Sequence, residues 1–495
     1  MADFDAVVIG AGNGGLTAAV SLAKSGVKTL LLEQHNVPGG CSTSFIRGRF
    51  EFEVALHQIS GLGTQDKPGP LRGLFAKLGV LDKLELVEEH EIYRTVVPGK
   101  LDVTLPADRE GSIQALVNRF PAEREGIQRI FDVIYQLGRD VAKGALARDP
   151  EFSDKKYPIF CKYAFRNSQS VMDEFLSDPL LKLTIASYWS YVGPPPKQMA
   201  FMYLAIMLWV YIEYKPFHFK GGSQSLAQAL LSSFLEAGGS ARFSCGARKI
   251  VVKDGAVHAV VTNGGDEITT NRVISNASLV TTYIDMIGAE HLPDSALDKL
   301  RPNNIGPSAF TVYCGLDCEP ADLGIDVSST FVSDTGNVDT MFGPMHSIEK
   351  SEGMLLTCYD VADSEFSPPG CSQVSLINLS YADQWLTLPP ESYHETKYKH
   401  ASHIVDIAEK IHPGFRDALE EVEVSTPLTH MNYLRSPGGA IYGFDQLPRD
   451  NGIFASHRPP LKGLYHAGAW VGTGGFQPTL ESGIYAARAA IRDAG

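Results

Sequence analysis

Residues 3–33 read DFDAVVIGAGNGGLTAAVSLAKSGVKTLLLE, and this stretch decides the fold. Phe4 to Ile9 is a short apolar run, partly β-branched, that stops at Gly10. Such a run between turn residues reads as a strand buried on both faces of a parallel sheet. Leu16, Ala19, Val20 and Ala23 then recur at helical spacing until Gly26 ends the pattern. Val27 to Leu32 is a second apolar run, ending at Glu33. Strand, helix and strand in this order form a right-handed βαβ unit. The turn Gly10-Ala-Gly12-Asn-Gly14-Gly15 has the GxGxxG spacing. Gly10 permits the tight turn, Gly12 lets the backbone approach a pyrophosphate, and Gly15 lets the helix pack close to the strand. The helix N-terminus offers unpaired N–H groups to phosphates, and Glu33 stands where a carboxylate accepts hydrogen bonds from a ribose diol. Gly10, Gly12, Gly14, Gly15 and Glu33 are therefore expected to hold the ADP half of a dinucleotide.

The chain has 495 residues, more than a single core accommodates. Gly61 to Tyr214 reads as a mainly helical insert, interrupted by Gly193-Pro-Pro-Pro196. Its longest apolar run, Met199 to Ile212, is too short to span a bilayer and reads as a buried helix, with a cavity lining or a shallow membrane contact as alternatives. A helix from Ser223 to Ala237 follows, then strands that turn at Asp254-Gly255 and Gly264-Gly265 and return at Arg272 to Ser275. Residues from about Pro302 to Tyr433 mix strand-like runs with a helix near His403 to Ile411. The fold class is α/β: a Rossmann-like nucleotide domain with a β-meander, plus an inserted α+β substrate domain. The expected boundaries are 1–60, 216–300 and 455–495 for the nucleotide domain, and 61–215 and 301–454 for the substrate domain.

The net charge of −14 gives no electrostatic reason to bind nucleic acid or an anionic membrane surface. The seven cysteines have irregular spacings and match no zinc site, and scattered reduced thiols suit a cytoplasmic protein. Residues Met1 to Ala11 show no signal peptide. Peripheral membrane contact stays open.

NAD and FAD share the GxGxxG turn, and Gly39-Gly40-Cys41-Ser42 separates them. This segment resembles the second glycine element of a flavoprotein superfamily that includes the amine oxidases and phytoene desaturases. The stretch Gly463-Leu-Tyr-His-Ala-Gly468, then Gly474-Gly475 and Leu480-Glu-Ser-Gly483, resembles its C-terminal flavin segment. The resemblance implies FAD. It also implies cofactor contacts at Gln34, Gly40, Cys41 and Ser42, at Ile250 near the adenine, and at Gly468, Gly475, Pro478 and Thr479 near the flavin. Within the superfamily the chain looks most like the phytoene desaturase branch, with its carotenoid isomerases and retinol saturases. The segments that carry this are Phe50 to His57, Gly221-Gly222-Ser223, Val273 to Ala277, Thr426 to His430 and Gly438 to Gly443. Cys41 stands where many amine oxidases carry arginine, and Ala469 where many flavoproteins carry an acid.

The branch implies redox or redox-dependent chemistry at carbon–carbon bonds of a hydrophobic polyene or isoprenoid: desaturation, saturation or cis–trans isomerisation. The electron donor or acceptor is left unknown. Two alternatives stand beside it, an FAD-dependent oxidase of a small molecule such as an amine, and a non-enzymatic FAD-stabilised escort protein. His57 is the candidate catalytic residue, because an imidazole near the flavin orients a substrate or moves a proton. Glu53 is its candidate partner on the same strand face. His430, Arg435 and Tyr442 are read as packing or surface residues.

Overall fold

A computed structural model describes residues 2–300, 304–348, 351–447 and 461–493. The expected boundary at 454/455 lies outside these residues. The opening unit forms as β1 (Ala6–Ile9), α1 (Asn13–Lys24) and β2 (Thr29–Leu32), with the two strands parallel. Three further strands arrive from far along the chain: β3 (Ser240–Arg242), β4 (Val273–Ser275) and β5 (Leu464–His466). The sheet order is β5-β4-β1-β2-β3, and every pair is parallel.

The apolar runs in β1 and β2 do not alternate with polar residues because both faces are covered. Ala6, Val8 and Leu31 pack under α1, α3 (Ser223–Glu236) and α4 (Phe476–Arg492). Val7, Ile9, Leu30 and Leu32 pack on the other face against a three-stranded antiparallel meander, Ala247–Lys253, Ala256–Thr262 and Glu267–Thr269. Asp254 and Gly255, at φ 50° and 72°, make the left-handed two-residue turn that matches strand twist.

The second half of the molecule is a seven-stranded sheet with a helical layer. Its order is Leu419–Ser425, Ser308–Leu316, Ser372–Ser380, Gly353–Cys358, Ser329–Ser333, Glu91–Val97 and Leu101–Pro106. Residues 61–214 are mainly helical, and the last two strands add a hairpin to that stretch. Tyr93, Thr95, Val96 and Val97 suit a strand and Pro98-Gly99 a turn, yet the helices on both sides dominate that stretch. The packing also places Leu71, Phe75 and Leu78 in the core shared by Leu16, Leu226 and Leu230. The beginning of the insert thus packs with the helices that cover the five-stranded sheet.

The apolar run becomes α2 (Phe201–Tyr214). Phe201, Met202, Leu204 and Leu208 are buried against Ile130, Phe131 and Ile134 of the helix Arg124–Asp140. Among the described residues no helix is long and apolar enough to cross a membrane.

Candidate active site

A cavity of about 1150 Å³ runs between the two halves. This exceeds the roughly 300–1,000 Å³ of an ordinary small-molecule site, so it has room for a large cofactor and a substrate together. Gly10, Gly12, Gly14, Glu33, Gln34, Gly39, Gly40, Cys41 and Ser42 line one end. Gly40 takes φ 63°, which favours glycine, and lies so close to Gly12 that an added Cβ would stand 3.3 Å from its Cα. The Gly39 N–H donates to the Ala11 carbonyl at 2.8 Å, which ties the two glycine segments together. Glu33 braces the loop from below: its Oε2 accepts the Ala11 N–H at 2.6 Å and its Oε1 the His35 N–H at 2.8 Å.

Two helix N-termini converge on the cavity. α1 begins after Gly12 and α4 after Gly475, and neither is capped by a side chain. Thr17 Oγ1 donates to the Leu480 carbonyl at 2.8 Å, and Gly483 packs so closely on the Gly14 carbonyl that no side chain fits. Their free N–H groups and dipoles favour an anionic ligand. Asn276, just after β4, sits among Gly10, Gly12, Gly14 and Gly468. Its buried Oδ1 has no hydrogen-bond partner among the described residues. A glycine cradle, two open helix ends and an orphaned amide oxygen fit a bound dinucleotide. Residues 14–491 match the family of flavin containing amine oxidoreductases.

The chain belongs to that family.

As a member of this flavin oxidoreductase family it is an FAD-dependent enzyme. Among its relatives is the all-trans-retinol 13,14-reductase of Danio rerio, 26% identical over 97% of this chain and 85% of the relative. Prolycopene isomerase 2, chloroplastic, of an Oncidium hybrid cultivar is 26% identical over 89% of this chain and 75% of the relative. The solved structure of putrescine oxidase bound to putrescine superposes with a TM-score of 0.67, at 14% identity and 99% coverage of both chains, which shows the shared fold.

In the flavin oxidoreductase, Gly468, Gly475, Pro478 and Thr479 line the cavity near the start of α4. Gly15 does not; a Cβ there would collide with the Gly10 carbonyl, so it serves the close packing of α1 on β1. Ile250 is not among the lining residues; its side chain is sealed in the core between the sheet and the meander. Gly246 and Ala247, at the start of the same strand, line the wall instead. Burial raises the Cys41 thiol to about 11, so it stays protonated at neutral pH.

His57 lines the cavity beside Tyr191, with ring centroids 5.6 Å apart. Burial lowers its pKa to about 4, so the imidazole is neutral at pH 7. Glu53 is not its partner. Glu53 Oε2 accepts the Ser223 N–H and Oε1 the Ser223 hydroxyl, both at 2.6 Å, and Oε1 also takes the Leu56 and Ala55 N–H groups. The carboxylate holds the start of α3, a use that strand alternation does not reveal. His430, Arg435 and Tyr442, read as packing or surface residues, all line the cavity. Burial lowers His430 to about 4, and the Tyr442 hydroxyl donates to the Ser190 carbonyl at 3.2 Å.

The far wall is apolar and aromatic. Tyr203, Ile206, Met207, Val210, Tyr211 and Tyr214 recur at helical spacing on one face of α2, and all line the cavity. Tyr191, Tyr211 and Phe331 line it as well, and Tyr188 packs behind them at 4.9, 4.8 and 5.8 Å between ring centroids. Phe331 is distant in sequence from the tyrosines, and only the fold brings it to them. Asn276 had a signal: it lies inside the Val273 to Ala277 segment that resembles the phytoene desaturase branch.

Proposed function

We propose that the enzyme acts on carbon–carbon double bonds of an elongated polyene or isoprenoid, by desaturation, saturation or redox-dependent isomerisation. The observation that carries this is the continuity of one cavity from the glycine cradle to the apolar face of α2. The names of the retinol reductase and prolycopene isomerase relatives support it. The carboxylates argue against an amine cation. The two that line the cavity among the described residues are engaged, Glu33 by backbone N–H groups and Glu481 Oε1 by the Gln477 amide at 2.9 Å.

Bound FAD supplies the redox chemistry, and the protein supplies position and electrostatics. The helix N-termini would hold the anionic parts of the cofactor, and the aromatic wall would orient the polyene by shape and stacking. His57, neutral through burial, would accept a proton or hold a substrate group by hydrogen bond at its ring nitrogens.

The test is anaerobic absorbance spectroscopy of the purified holoprotein with polyenes and amines. Bleaching by a polyene identifies desaturation, and return of colour to the chemically reduced protein identifies saturation. A change of substrate geometry without net redox identifies isomerisation. Bleaching by amines alone would overturn the reading.

A further inference from the structure

The outer end of the cavity carries features that the chemistry does not use. Leu146 and Tyr485 both line the cavity yet are 56% and 48% exposed, so the cavity opens at them. Arg148 lies close enough to Tyr485 to influence its hydroxyl electrostatically. Beside this mouth stand two exposed phenylalanines, Phe152 at 37% and Phe165 at 43%. Both meet the buried Phe160 edge-on, at 5.1 and 5.6 Å between centroids, and the Phe152 ring lies over Gly144. Gly144 belongs to the turn Val141–Leu146, whose Val141, Ala142 and Leu146 line the cavity. Exposed aromatics thus continue the apolar wall outward.

The segment beside the mouth is locally basic within an acidic chain. Residues 139–166 hold seven basic and four acidic side chains, in a chain whose net charge is −14. Lys143, Arg148, Lys155 and Lys162 are exposed. An apolar cluster ringed by cations is suited to an anionic lipid interface: the apolar groups enter the headgroup boundary and the cations meet the phosphates. α2, by contrast, is buried in the core and lining and is not available for such contact.

We propose that this face docks on an anionic phospholipid surface, with Leu146, Phe152 and Phe165 entering the interface and the cavity mouth opening onto it. An apolar substrate then passes from bilayer to cavity without crossing water. The inference rests on the reading of an apolar substrate, but its test uses none.

Purified holoprotein is floated with vesicles of phosphatidylcholine, with and without phosphatidylglycerol, at low and high salt. Binding is expected with phosphatidylglycerol and falls with salt. The pair Phe152→Ser and Phe165→Ser, and separately the pair Lys155→Glu and Lys162→Glu, each weaken it by about tenfold or more, with flavin absorbance retained. Leu386→Ser, at an exposed apolar residue on another helix, leaves it unchanged. Wild-type protein that does not float, or an equal loss in Leu386→Ser, overturns the proposal. So does sedimentation as a dimer that the phenylalanine pair dissolves while vesicles stay unbound. Polyenes that fail in spectroscopy while vesicles bind would instead sink only the substrate reading.

Discussion

Gly12 and Gly15 stand three residues apart and limit the molecule in different ways. A Cβ on Gly15 meets backbone, whereas one on Gly12 meets the Asn276 side-chain amide at 2.8 Å and faces the cavity. Gly12→Ala is expected to fold and lose flavin, and Gly15→Ala to lose soluble folded protein. Flavin content and circular dichroism distinguish them, and a flavin-loaded Gly12→Ala protein would remove the loop from the site. At His57, His57→Ala should keep FAD and slow turnover by about 10²-fold. Because burial holds the imidazole at about 4, loss of kcat/KM through its protonation is expected near pH 4 rather than 6.5. Wild-type turnover in a loaded mutant would exclude the residue. His466 tests burial alone. Neither ring nitrogen has a partner among the described residues, and burial lowers its pKa from 6.5 to about 3. The unfolded chain therefore binds the extra proton between these values, and stability falls as pH drops below 6.5. His466→Leu should lose less melting temperature between pH 7 and 5 than the wild type does; an equal loss would contradict a buried neutral imidazole. The βαβ unit and its glycine turn were legible because their geometry is local to one stretch of chain, whereas the bracing of the turn by Glu33 through the Ala11 and His35 N–H groups was not read from it. The Val273 to Ala277 segment flagged Asn276, but neither its place among the glycines nor the true partner of Glu53 was legible, because each depends on what a distant segment brings to it.

At the scale of elements, α2 has two tasks. One face packs on the helix Arg124–Asp140 and the other lines the cavity, while Trp209, for whose ring Gly138 leaves room, does both. Met207, on the lining face and only partly buried, is the place to separate them. Met207→Gln should reduce kcat/KM by about tenfold, since a polar group would meet an apolar ligand, while flavin content stays constant. Unchanged kinetics would assign the helix to the core alone. The apolar density of 199–212 shows in the sequence that this helix is buried. It does not show which face meets a cavity, because core and lining are both apolar. The hairpin Glu91–Val97/Leu101–Pro106 was less legible still, since its partner Ser329–Ser333 lies far along the chain.

For the whole molecule, the cavity between the halves means that FAD acts as an internal brace. A ligand at a thousand times its Kd stabilises the folded state by about 4 kcal/mol. Stripping the flavin should lower the melting temperature, and adding FAD back should raise it in a concentration-dependent way; a melting temperature indifferent to FAD would place the cofactor outside the core of the fold. The interleaved order β5-β4-β1-β2-β3 has a consequence for biosynthesis as well. β1 and α1 leave the ribosome early with apolar faces that β4 and α4 must cover. Between Lys24 and Leu464 lie about 440 residues, which at about 5–20 residues per second take about 20–90 s to translate. The glycine cradle is thus among the first parts translated and the last to be closed. A nascent chain stalled before Gly463 lacks β5 and α4, so retention of FAD follows translation rather than accompanying it.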